Sequence, residues 1–512
     1  MCEFNNNQHT HMSMATYNRQ GSFSKAKRLG SRSSFLSIFF LFVLAASSTF
    51  IIHYWIDFSK FTSSTILKTI TIFNGKPEPP LHCSNESSSI CNSNYPDKFE
   101  PNDRTSRSCP EYFRWIHEDL KPWQKTGITR DMVDRGQNVS HFRLVIVNGK
   151  AYIEKYKKSF QTRDVFTIWG ILQLLRLYPG EVPDLELMFQ CGDKTVVDKG
   201  LYLAGGPHAN VSPPPIFHYC GNNDSFDIVF PDWTFWGWAE LHISPWESTL
   251  QSIEEGNKRV KWKDRVPYAF WKGNPTVSLL RKNLCKCNVT DKNDWNARIY
   301  SVQWLDEREK NFQDTKLGDQ CTYRYKIYAE GATWSVSEKY IIACDSMTMF
   351  IEPQYFDFFT RNMVPLQHYW PISTTNMCED IKFAVDWGNS HQDKAQQIGK
   401  GGSNYIIDNL KMKYVYDYML HLLKEYAKLQ RFKPKIPERA KEMCPERMAC
   451  SLRNGPRKRY MYESLVKSPS STLPCSMPPP YEPQALQHLL HQKDNLIDKV
   501  RLRSLSDAAK KQ

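Results

Sequence analysis

The chain has 512 residues, a formal net charge of +13 and 13% aromatic residues. That length admits two domains with appendages and excludes a minimal single-core module. The positive charge is scattered rather than gathered into a stripe, which argues against nucleic acid as a partner and leaves anionic groups such as nucleotide phosphates open.

Residues 1–34 form a basic leader with Arg19, Lys25, Lys27, Arg28 and Arg32, and Phe35–Ile52 is almost wholly apolar. No Lys, Arg, Asp or Glu falls between Arg32 and Asp57. That stretch just provides the about 20 residues a membrane helix needs. The positive-inside rule keeps the leader cytosolic and makes residues 35–56 a transmembrane signal anchor, with the remainder lumenal; a cleaved signal peptide is the competing reading. Residues 57–105, rich in Ser, Asn, Pro and Thr, read as an extended stem. Sequons at Asn85, Asn138, Asn210, Asn223 and Asn288 follow the anchor, as do all of the 14 cysteines except Cys2. Both features agree with a secretory compartment. No Cys/His group has zinc-ligand spacing, so no metal site is predicted.

Apolar and aromatic density rises at Cys109 and stays high to Phe432. Phe142–Tyr152 (FRLVIVNGKAY) predicts two strands about an Asn148-Gly149 hairpin turn, and Phe166–Leu177 has helical spacing. Leu185–Cys191 predicts a buried strand that ends at Gly192-Asp193, which puts a carboxylate where open α/β sheets place their chemistry. A lone acid after a strand is nevertheless more often a cap or turn residue than a general base. Asp227–Trp246 then reads DIVFPDWTFWGWAELHISPW. Its aromatics crowd beside proline, glycine and carboxylates, which suits either a loop-rich wall that stacks on sugar rings or an aromatic knot in the core.

A second alternating run begins near Lys261. Pro267–Trp271 predicts a strand ending in Lys272-Gly273-Asn274-Pro275, with Arg281 six residues on; a glycine turn lets the backbone approach an anion, and the two cations can neutralise it. Tyr325–Ala329 predicts a strand closing on Glu330-Gly331-Ala332, followed by a helix over Ser335–Ala343 and a strand over Ser346–Ile351. The small and hydroxyl residues of Ala332–Ser337 leave free N–H groups for a diphosphate, with Lys339 one turn in. Taken singly, the plainer readings of these motifs are a strand turn and an N-capped helix. Residues 384–432 are helical in pattern, with breaks at Asn389–Asp393 and Gly401-Gly402, and the proline-rich residues 433–512 read as a partly disordered tail. Strands alternating with helices on both sides of a linker argue for two facing Rossmann-like domains, residues 106–260 and 261–432. Walker, GxGxxG, Asp-x-Asp and GxSxG motifs are absent from the sequence, which leaves ATP, NAD, a metal–diphosphate bridge and a nucleophile elbow unsupported.

In this order, PDLELMFQCGD (183–193), DIVFPDWTFWGW (227–238), YAFWKGN (268–274), CTYRYKIYAEG (321–331) and SVSEKY (335–340) resemble the Rumi-type protein O-glucosyltransferases. That group takes in the fungal capsule-associated xylosyltransferases and many plant relatives, and the resemblance spans roughly Cys109–Phe432. It implies an α/β fold of GT-B type and an inverting, metal-independent transferase without a cofactor. It also implies UDP-glucose or UDP-xylose as donor and a protein or glycan acceptor. By position it makes Asp193 the catalytic base and gives the nucleotide to Asn274, Arg281 and the turn Ala332-Thr333-Trp334-Ser335-Val336-Ser337, to which the motifs themselves add Lys272, Gly273 and Lys339. Ser244 and Pro245 would border the donor sugar. Trp233, Phe235, Trp236, Phe160 and Arg163 would form the acceptor or sugar wall, and Cys321 would pair with Cys344. Ser337 stands where animal members have arginine, and Lys157–Arg163 lacks the cysteines of their acceptor-side loop. The expected setting is a single-pass type II membrane protein of the Golgi or endoplasmic reticulum. The rival expectation is a catalytically inactive lectin-like or scaffold membrane protein of the Golgi, for which Ser337 is the best argument.

Overall fold

In the computed structural model, which describes residues 81, 83, 91, 95–310, 312–313 and 316–510, strands alternate with helices around two main sheets. The expected anchor, the leader, residues 57–80 of the stem and the Asn85 sequon lie outside the described residues. Among the described residues no helix is long and apolar enough to cross a membrane.

In chain order the strands are β1 (Phe142–Val147), β2 (Lys150–Lys155), β3 (Leu185–Phe189), β4 (Ile216–His218), β5 (Gly221–Asn222), β6 (Ile228–Val229), β7 (Val266–Gly273), β8 (Ala297–Ser301), β9 (Tyr323–Tyr328), β10 (Met347–Ile351), β11 (Tyr355–Phe356), β12 (Trp370–Ile372) and β13 (Lys441–Met443). The first sheet is six-stranded, ordered β13-β2-β1-β3-β4-β6. Its first half is antiparallel and its β3-β4-β6 half parallel. Asn148 (φ 51°) and Gly149 (φ 73°) make the left-handed turn that the right-handed twist of the β1–β2 hairpin requires. Both faces of β3 are covered, so all of LELMF is buried. The buried carboxylate of Glu186 in this strand is paired by Arg130 at 3.0 Å and Arg143 at 3.1 Å.

The second sheet is five-stranded and parallel throughout, ordered β12-β10-β9-β7-β8. Because β7 lies between β8 and β9, the chain leaves it toward one edge and later returns to its other side. The carboxyl ends of β7 and β9 therefore flank a topological switch point, where open α/β sheets take their ligands.

Two expectations are corrected here. Gly401 and Gly402 do not break a helix; they sit inside the helix Gln392–Asn409. A Cβ on either would collide with the Gln367 or His368 carbonyl, so the glycines let this helix approach the backbone of that loop. The region expected as a partly disordered tail instead forms β13, the short helices Pro445–Ala449 and Pro456–Glu463, and the long helix Pro483–Lys510. Disulfides Cys83–Cys450 and Cys91–Cys444 join it to the expected stem, and Cys109–Cys475 joins it to the residues just after the stem. Backbone bridges Asp103↔Thr472 and Ser108↔Ser476 bind the proline-rich segment as an extended ribbon.

Candidate active site

Beyond β3 the chain turns through Gln190-Cys191-Gly192-Asp193, and each step of the turn is held. The Cys191 N–H donates to His141 Nδ1 at 3.0 Å and the Gly192 N–H to Gln190 Oε1 at 2.6 Å. His218, the last residue of the neighbouring strand β4, donates from Nε2 to the Gly192 carbonyl at 3.1 Å. The Asp193 side chain is 50% exposed, and its Oδ1 accepts from Nη1 of the buried Arg163 at 2.7 Å. Arg163 opens the helix Arg163–Leu177, and its guanidinium lies over the Trp233 ring at 4.5 Å and the Phe160 ring at 5.2 Å.

The second sheet reaches this carboxylate through the loop beyond β9. Thr333 Oγ1 donates to the Asp193 carbonyl at 2.7 Å, and Trp334 makes ring contact with His218, Tyr219 and Trp233. The same loop continues to the switch point. There Arg281 donates to the Ala329 carbonyl (3.0 Å from Nη2), the Asn274 carbonyl (3.4 Å) and Ser335 Oγ (3.1 Å), tying the end of β7 to the end of β9. Ser335 Oγ lies 2.8 Å from Ser337 Oγ, and the Ser335 N–H donates to the Tyr328 hydroxyl at 3.0 Å. Burial brings the Arg281 guanidinium down to about 10. A partly desolvated arginine whose other hydrogen bonds are made within the protein is a fixed cation suited to an oxyanion. Asn274 serves locally: its Oδ1 accepts from the Thr276 N–H and hydroxyl, both at 2.8 Å. Gly273 is needed because a Cβ would sit 2.7 Å from the Trp271 ring, over which Arg281 lies. Lys272, also at the end of β7, is half-buried and registers with Tyr300 of β8.

Other site expectations are corrected or relocated. Phe235 and Trp236 are 0% exposed and do not face a cleft. Trp236 donates to the Tyr416 hydroxyl at 2.9 Å, and Phe235 packs on Trp246 and Phe358, so both are core. Trp233 is buried as well, but it backs the Arg163–Asp193 pair. Lys339 turns away from the switch point into the interior, where Nζ meets Asp232 and Thr234 Oγ1, each at 2.8 Å. Burial opposes its charge, but the Asp232 carboxylate holds the lysine above its ordinary value. Burial pushes the neighbouring Asp357 and Glu338 carboxyls well up, with like charge from Asp232 and Asp357 respectively adding to it. Val336 sits in the turn between Ser335 and Ser337, half-buried, and Ala332 is exposed. Ser244 lines a cavity with His242, Thr249, Arg259, Phe312 and Lys316, while Pro245 caps the helix Trp246–Arg259. Asn138, Asn210 and Asn223 are exposed, whereas Asn288 Oδ1 accepts from the Ile299 N–H at 2.9 Å.

Among the described residues, Cys109, His421 and Cys475 are close enough to share a metal, but the two sulfurs form a disulfide. Cys321 and Cys344 are also joined, beside β9. Sequence reasoning missed His218, Gln190 and His141, which support the Asp193 turn without a local motif. Only the parallel register of β3 with β4, Phe189 opposite Phe217, brings His218 beside Gly192.

The family model for glycosyl transferase family 90 matches residues 104–504, well past Phe432 and through the expected tail. The O-glucosyltransferase rumi homolog of Aedes aegypti is 25% identical over 352 residues, covering 66% of this chain and 82% of that protein. Protein O-glucosyltransferase 1 of Homo sapiens is 27% identical over 353 residues, covering 65% of this chain and 83% of that protein. The O-glucosyltransferase rumi of Drosophila melanogaster is 22% identical over 348 residues, covering 65% and 80%. The mixed α/β architecture is consistent with the GT-B-like fold of such enzymes. With the motifs in order and most of the chain matched, the protein belongs to glycosyl transferase family 90 and is similar to the Rumi-type protein O-glucosyltransferases.

Proposed function

We propose that this protein is an inverting, metal-independent glycosyltransferase that moves glucose or xylose from a UDP-sugar to a hydroxyl of a protein or glycan. The two sheets are read as two facing Rossmann-like domains, the first for the acceptor and the second for the donor. The observation that carries this reading is the pairing of a half-exposed, arginine-held Asp193 with the Arg281 turn through the Thr333 hydrogen bond. Asp193 takes the proton of the acceptor hydroxyl as the oxygen attacks the anomeric carbon in line. The bond from that carbon to the diphosphate oxygen breaks, and Arg281 with the Ala332–Ser337 turn stabilises the charge on departing UDP. The names of the relatives favour glucose, and the sequons, disulfides and N-terminal apolar stretch favour a type II protein of the Golgi or endoplasmic reticulum membrane.

The test is UDP release from a panel of UDP-sugars, with Asp193→Asn as the decisive variant. It should keep UDP binding and lose at least ~100-fold in turnover, the lower range for a general base. Near-normal turnover would remove Asp193 from the mechanism. The lectin-like alternative draws on Ser337 in place of an arginine; it predicts no UDP binding by calorimetry.

A further inference from the structure

We infer that Arg163 is the positioning residue of Asp193: it fixes one carboxylate oxygen so that the other faces the acceptor hydroxyl. This inference rests on the reading of Asp193 as the base. A half-exposed aspartate on a turn ordinarily samples several rotamers, and a base must lie within hydrogen-bond reach of its proton. Arg163 removes that freedom. Its side chain is 7% exposed against 50% for Asp193, so the cation is the fixed partner and the carboxylate the one being held. Groups from different elements fix the guanidinium. Phe160 lies in the loop before the helix, Trp233 follows β6, and the Cys191 carbonyl at the end of β3 lies 3.5 Å from Nη1. Aromatic faces on a guanidinium add cation–π attraction and set its plane. The contact with Asp193 is monodentate, through Oδ1 at 2.7 Å, and among the described residues Oδ2 receives no hydrogen bond. A fork-to-fork pair would have occupied both oxygens; this one leaves a free acceptor with a set direction.

The aromatic slot supplies a test that a purely structural arginine would fail. Arg163→Ala in the full chain removes the guanidinium that lies over the Phe160 and Trp233 rings and leaves its place beside Asp193 open to guanidinium ion. Guanidinium chloride far below denaturing concentrations should bind this variant saturably by calorimetry, and added Asp193→Asn should abolish the binding. No binding, or binding that ignores Asp193→Asn, overturns the pairing whatever the donor. In UDP release from UDP-glucose and UDP-xylose, Arg163→Ala should lower turnover about 100-fold, as a misplaced reacting group does, while UDP affinity stays unchanged. Guanidinium should restore turnover, and urea, its neutral isostere, should not. Unchanged turnover, or restoration by urea, overturns the positioning role. A wild-type protein that releases no UDP from any sugar sinks the transferase reading alone, because the calorimetric arm still decides the Arg163–Asp193 pair. Should Arg163→Ala not fold, Arg163→Lys replaces it: an ammonium lacks the planar guanidinium that lies over the Phe160 and Trp233 rings and sets the direction of the contact, so turnover falls with UDP affinity kept.

Discussion

Arg281 keeps its charge where burial opposes it, and its hydrogen bonds explain how. The Ala329, Asn274 and Ser335 oxygens replace the water it gave up. Lys339 is engaged by the Asp232 carboxylate, whereas Arg281, beside the switch-point turn, has neutral oxygens as hydrogen-bond partners. Arg281→Ala should therefore weaken UDP binding by at least about 10-fold in calorimetry, the loss expected for a hydrogen bond to a charged group. Arg281→Lys should recover little of it, because a point charge cannot span both strand ends. Affinity unchanged by either variant would put the diphosphate elsewhere.

At the scale of elements, β9 joins both halves of the site and carries an unusual interior residue. Lys326 is 3% exposed and donates to the Gln320 carbonyl at 3.3 Å and toward Cys344 Sγ at 3.5 Å. Burial, helped by the Arg265 charge, lowers it from 10.5 to about 7. The unfolded chain then binds this proton up to the higher value and the folded chain only to the lower, so stability rises with pH across that window and is least below it. Lys326→Met should raise the melting temperature at mildly acidic pH by an amount worth at least about 1 kcal/mol, with the advantage shrinking as pH climbs. A pH-independent difference would show that the lysine is charged in the fold. The aromatic run divides along the same lines of burial. Its proline, glycine and carboxylate neighbours suit a loop wall or a core knot equally, and in the fold Asp232 caps a short 3-10 turn through the Thr234 N–H and pairs Lys339. The carboxylates thus hold the loop down onto the core.

For the whole molecule, the carboxy-terminal region is structural. Cys109–Cys475 closes a separation of 366 residues, and Asp417 accepts from the Cys475 N–H at 3.0 Å. Replacing both cysteines by alanine should cost about 2–4 kcal/mol, the usual loss for a native disulfide, read as a lower urea midpoint. An unchanged midpoint would show that the ribbon's bridges and the Asp417 contact suffice. The family match through residue 504 fits this role, since the region completes the first sheet through β13 and packs the helix bearing Arg163.

Much of the architecture was legible because it is written in local chemistry. Asn148-Gly149 demands a hairpin turn, the unbroken apolar run of β3 demands a buried strand, and the residues just past β7 and β9 lie where parallel sheets bind ligands. Position at the predicted strand ends singled out Asp193, Arg281 and the Ala332–Ser337 turn, and only the family resemblance gave them expected roles. Burial and pairing across distant segments were not legible, since a lysine or tryptophan has the same letter whether it faces a cleft or the core. Only the tertiary structure sent Lys339 to Asp232, closed Phe235 and Trp236 inside, set Arg163 over the Phe160 and Trp233 rings against Asp193, and bound the tail to the stem. Those outcomes depend on which strands lie side by side, and a chain specifies that through the sum of its contacts rather than in any one stretch of its sequence.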